Sequence, residues 1–118
     1  MNSEDLRPGD FVLAPKGDTL VVAKVFEVQT GRFASNKPIT VEINGHRHAF
    51  AIDELAPIPA TKSTLIALFD AEIISNFKLK IGTEEVFYQD RCWNLPFPTL
   101  GGSKPFKYIH ELQRLVTL

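Results

Sequence analysis

The chain has 118 residues, 13 Lys+Arg against 14 Asp+Glu, a formal net charge of −1 and 44% hydrophobic residues. That length suits one compact domain or two small lobes sharing a core, and the hydrophobic share argues against wholesale disorder. No apolar run approaches the roughly 20 residues that span a bilayer. The start, Met1-Asn2-Ser3-Glu4-Asp5, lacks the positive and apolar regions of a signal peptide. The single Cys92 leaves neither an intramolecular disulfide nor a multi-cysteine zinc site, so a reducing cytoplasm is the expected setting. Charge is spread evenly, with 6 basic and 8 acidic residues over 1–58 and 7 and 6 over 59–118. Neither half is the basic block of a protein that gains affinity by releasing counterions from phosphate.

The first half reads as β. Arg7-Pro8-Gly9-Asp10 suits a type II turn. Phe11 to Ala14 follows as a short strand and Pro15-Lys16-Gly17-Asp18 as a second turn. Thr19 to Val28 is dense in β-branched residues, and at ten residues it invites a bend or bulge that would serve two sides of a small barrel. Gln29 to Pro38 is polar and reads as a loop. Asn44-Gly45 between Ile39–Ile43 and His46–Ile52 predicts a type I′ hairpin, because both turn residues need positive φ. That turn places Ile43 opposite His46, Glu42 opposite Arg47, Val41 opposite His48 and Ile39 opposite Phe50. Alternation puts Ile39, Val41, Ile43, His46, His48, Phe50 and Ile52 on one face. Asp53-Glu54-Leu55 reads as a single 3₁₀ turn.

The second half changes character. Thr61, Ser63 and Thr64 are all candidate N-caps for a helix carrying Leu65, Leu68, Phe69 and Ile73, with Ser75-Asn76 as its stop. Phe77 to Ile81 alternates as a half-buried strand. Gly82-Thr83-Glu84-Glu85 turns the chain, and Val86–Gln89 and Cys92–Leu95 are two more strands. Pro96, Pro98, Gly101, Gly102 and Pro105 predict a loop. The closing helix, 107–116, sets Tyr108, Ile109, Leu112, Leu115 and Val116 on one face and His110 and Arg114 opposite. The expected fold is α+β: an SH3-like small β-barrel over 1–58, packed on a helix–three-strand–helix lobe over 59–118.

Two stretches resemble a known group. Asp53-Glu54-Leu55-Ala56-Pro57-Ile58-Pro59-Ala60-Thr61 is similar to the acidic Pro-Ile-Pro junction of uncharacterised small proteins from bacterial prophages and mobile elements. Tyr108-Ile109-His110-Glu111-Leu112-Gln113-Arg114-Leu115 resembles their closing helix, with Arg114 where Asn is usual. The resemblance implies a mobile-element origin and the same β-rich front half; it implies no catalytic assignment.

Each constellation competes with a plainer role. His46 and His48 could both reach one metal, but no neighbouring residue supplies a third ligand, and two rings covering a barrel rim are the preferred reading. Cys92 has no family signature around it, and free cysteines are usually small buried hydrophobes. Asp53-Glu54 and Glu84-Glu85 are sequence neighbours, which point to opposite faces of a strand and make no acid–base dyad. Gly101-Gly102-Ser103-Lys104 lacks the spacing of a phosphate loop. Lys78, Lys80, Arg91, Trp93, Lys104, Phe106 and Lys107 mix cations and rings as nucleic-acid surfaces do. His110, Gln113 and Arg114 form a candidate polar contact patch on the outside of the last helix. No catalytic, metal or cofactor site is assigned. The expected function is a non-enzymatic protein-interaction module, with a protein partner (a second copy included) and no membrane. The alternative is a nucleic-acid-binding accessory protein, and an enzyme ranks third.

Overall fold

The computed structural model describes residues 5–31, 35–97 and 102–116. The chain divides into two units, Met1–Ile58 and Pro59–Leu118. Among the described residues there are nine strands and only two α-helices, of eight and seven residues. The fold is therefore mostly β rather than α+β.

In the first unit Pro8-Gly9 makes the type II turn: Gly9 has φ 97° and the Asp10 N–H donates to the Arg7 carbonyl at 3.1 Å. Asp10 is buried, and its carboxylate accepts the Arg7 N–H at 2.8 Å, so this buried polar group is satisfied by the turn it closes. Strands β1 (Phe11–Lys16), β2 (Thr19–Val28), β3 (Ile39–Ile43) and β4 (His46–Phe50) form an antiparallel meander in that order. The long β2 shifts register between Val25 and Glu27. The Asn44-Gly45 turn has φ 52° and 81°, and every pairing read from it is present, from Ile43↔His46 to Ile39↔Phe50. Glu42 stands opposite Arg47, whose guanidinium lies 3.7 Å from the centre of the Phe26 ring. Val12, Ala14, Ala23, Val25, Ile39, Val41 and Ile43 bury the inner face together with Leu6 and Leu55.

The sheet does not close into a barrel. After the 3₁₀ turn Ile52–Glu54, Ala56 meets β1 and exchanges two backbone bonds with Leu13, at 2.8 and 3.0 Å. Pro57 follows without an N–H, so the contact is a single bridge rather than a fifth strand. In the loop Gln29–Pro38, the Gln29 N–H donates to Pro38 at 2.8 Å; residues 32–34 lie outside the described residues.

The second unit is a five-stranded antiparallel meander with two helices, not a helix–three-strand–helix lobe. Helix α1 (Lys62–Phe69) is capped by Thr61, whose hydroxyl accepts the Thr64 N–H at 3.2 Å while the Thr64 hydroxyl accepts the Thr61 N–H at 2.9 Å. It ends at Asp70, which takes the left-handed conformation (φ 54°, ψ 43°). Ile73 therefore belongs to a strand, β5 (Glu72–Ser75), and Asn76-Phe77 is the turn into β6 (Lys78–Ile81). The helical spacing of Ile73 from Leu65 is a coincidence that the break at Asp70 removes, and its β-branching suits the strand.

Strand β7 (Glu84–Gln89) includes Glu84 and Glu85, expected in the turn that begins at Gly82, and β8 (Cys92–Phe97) runs past Pro96. Strand β9 (Gly102–Phe106) occupies part of the expected loop; residues 98–101, including Gly101, lie outside the described residues. With Gly, Ser, Lys and Pro, β9 has little strand propensity of its own. It forms by pairing with β8, at a sheet edge where Pro105 is tolerated. Helix α2 (Ile109–Leu115) follows. Leu65, Leu79, Ile81, Val86, Trp93, Leu95, Phe106, Ile109 and Leu112 are buried.

Candidate binding groove in the C-terminal unit

Alternation along β7 puts Val86 and Tyr88 on one face of the sheet, and the register brings Trp93 opposite Tyr88 and Phe106 opposite Trp93. Trp93 and Phe106, 4% and 1% exposed, are the floor of an open groove of about 490 Å³. Two exposed rings line its side. Phe77 is 64% exposed and Tyr88 41%. Their rings lie 6.4 Å apart between centroids with planes inclined by 21°, and Tyr88 meets Trp93 edge-on at 5.5 Å. The Phe77 backbone is pinned: its carbonyl accepts the Tyr88 N–H at 2.8 Å and its N–H donates to Ser75 Oγ at 3.3 Å.

Lys62, Arg91 and Lys107 contribute positive charge, and no carboxylate is among the described residues lining the groove. Each cation has a fixed origin. Lys62 opens α1 behind the Thr61 cap. The Lys107 carbonyl accepts the Ala60 N–H at 2.8 Å, and its N–H donates to Glu111 Oε1 at 2.9 Å. Arg91 is the second residue of the β7–β8 turn, where Asp90 and Arg91 both have positive φ, 55° and 66°. That conformation is costly for an arginine. Asn94 braces the turn, donating through Nδ2 to the carbonyls of Gln89 and Cys92 at 3.2 and 3.0 Å.

Of the basic–aromatic residues singled out in the sequence, the structure gathers Arg91, Trp93, Phe106 and Lys107 at this groove. Lys78 and Lys80 alternate with the buried Leu79 and Ile81, so they lie on the other face of the sheet. Lys78 pairs with Glu85 at 2.9 Å there, both side chains close to half exposed, a contact worth roughly 0–1 kcal/mol. Lys104 is exposed on the edge strand opposite Leu95 and does not line the groove. Sequence reasoning missed Lys62, Phe77, Tyr88 and Asn94. Alternation placed Phe77 with Leu79 and Ile81; the two-residue turn moves it into solvent.

The patch read on the outside of the last helix is not outside. His110 is 6% exposed, and its ring lies nearly parallel to that of Tyr108, 9° between planes and 6.0 Å between centroids. Gln113 and Arg114 are half-buried, whereas Tyr108, assigned to the apolar stripe, is 37% exposed at the N-cap. His110 and Leu112 lie about 160° apart on the helical wheel, so burial of both means the helix is covered on two sides.

His46 and His48 are exposed on β4 beside Lys16 and Phe50, in a smaller groove of about 340 Å³. No three His, Cys, Asp or Glu side chains come together as metal ligands among the described residues. Cys92 lines the C-terminal groove with its thiol directed at the Gln89 carbonyl, 3.8 Å away. Glu54 accepts the Ala51 N–H at 2.9 Å and thereby fastens the 3₁₀ turn. No helix among the described residues is long and apolar enough to cross a membrane. No protein-family model matches the chain, and comparison with curated proteins and with solved structures also finds no match.

Proposed function

We propose that this protein is a non-enzymatic binding module and that the C-terminal groove is where it takes hold of its ligand. The observation that carries this reading is the union of two exposed, backbone-pinned rings with three cations, and no carboxylate, among the described lining residues. Exposing a large ring to water forgoes burial worth roughly 1.5–3 kcal/mol. Holding Arg91 at positive φ is a second local cost, of about 1–2 kcal/mol. Local costs of this kind concentrate where a surface serves a ligand. The groove offers an anionic, ring-bearing molecule both charge and stacking, and its described residues make no arrangement of nucleophile, base and orienting group. A cytoplasmic setting, supported by the lone thiol, and a mobile-element origin, supported by the resemblance at 53–61 and 108–115, belong to the same proposal.

Chemical-shift mapping tests it. Titration of the labelled protein with short polyanions (a heparin hexasaccharide, poly-Glu and an oligothymidylate) is expected to move the Trp93 indole N–H and the amides of Tyr88, Arg91 and Lys107 with at least one of them. Shifts confined to the N-terminal unit, or none with any probe, would contradict the reading. A second reading, a protein partner, is favoured by the outer face of β2, where Leu20, Val22 and Phe26 are 55%, 46% and 42% exposed.

A further inference from the structure

Resting on that reading of the groove, we infer that its ligand is a single-stranded nucleic acid. An anionic peptide would satisfy the cations but would leave Phe77 and Tyr88 in water, since carboxylate side chains do not stack. A base offers a π-face to each exposed ring, and every base does so, which makes the contact tolerant of sequence. Duplex strands are a poor fit, because their bases are already stacked on one another and a ring on a groove wall reaches none of the faces. Phosphates of the same strand then meet Lys62, Arg91 and Lys107, the three cations lining the groove. The modest number of cations agrees with a near-neutral chain: the contact is local, and affinity comes from stacking as much as from charge. DNA and RNA single strands share this chemistry.

Fluorescence anisotropy with labelled (dT)8 and (rU)8 tests the inference on the full chain. At least one strand is expected to bind, and (dU)8 compared with (rU)8 identifies the sugar preferred. Three released counterions give a plot of log K against log salt with a slope of about −2. Phe77→Ala and Tyr88→Ala are each expected to weaken binding by at least about fivefold. Arg91→Gly relaxes the positive φ at that turn, so it retains the fold; it is expected to make the slope shallower by about 0.7. The inference is overturned, with the groove reading intact, if poly-Glu or a duplex of equal length competes as well as the single strand and is weakened by the same variants. Binding of the heparin hexasaccharide or poly-Glu at the groove with neither strand bound also overturns the inference alone; both readings fail together if no polyanion binds, or if binding is indifferent to all three substitutions.

Discussion

Leu112→Ala is expected to lower the unfolding free energy of the C-terminal unit by about 2–5 kcal/mol, read from the urea midpoint at unchanged slope. Leu112 is 1% exposed at the middle of a seven-residue helix. A helix that short does not persist alone in water, so its stability is the packing of its buried side chains. Truncation removes apolar contact and leaves a cavity that β-sheet neighbours fill only partly. Set against a typical total of about 5–15 kcal/mol, this threatens folding. The burial of His110 extends the expectation to the other side of the helix: His110→Ala should cost about 1–3 kcal/mol, as buried positions do, not the few tenths of a surface residue. A His110→Ala midpoint equal to that of the unmodified protein would show that the helix is solvated on that side.

The floor and the wall of the groove should separate cleanly. Phe106→Ala is expected to cost about 3–5 kcal/mol, because the ring is 1% exposed and holds an edge strand that has little propensity of its own. Phe77→Ala, on a ring 64% exposed, should change stability by no more than about 0.5 kcal/mol. The contrast in thermal midpoints separates a residue that makes the groove from one that only faces its contents. If Phe77→Ala unfolds the protein as Phe106→Ala does, the exposed ring is a core residue and the groove is filled by the protein itself.

Local chemistry was legible wherever turn residues fixed geometry. Asn44-Gly45 set a register that the structure reproduces pair for pair, and Pro8-Gly9 set its turn. Thr61 was one of three candidate caps, and only the reciprocal bonds with Thr64 select it. Elements that exist through their partners were not legible. Strand β9 reads as a loop because its residues favour none, and it is made by β8. Strand β5 reads as the tail of a helix because its spacing fits one, until Asp70 turns left-handed. The same limit hid the groove. Arg91, Trp93 and Lys107 were visible as residue types, but Lys78 and Lys80 are sequence neighbours of the site that alternation carries to the opposite face. Lys62 and Lys107 are 45 positions apart in sequence and share the groove because Ala60 and Lys107 share a backbone bond. For the last helix, periodicity gave a phase but could not say that two sides are covered, so His110 was placed in solvent.

Ultraviolet cross-linking of the protein to (rU)8 and (dT)8, followed by peptide mass spectrometry, decides whether the C-terminal groove holds a single strand. Nucleotide adducts are expected on Phe77, Tyr88 or Trp93, lost in the presence of excess competing strand. Adducts confined to aromatic residues of the N-terminal unit, such as Phe11 or Phe26, or no adduct at all, would contradict it.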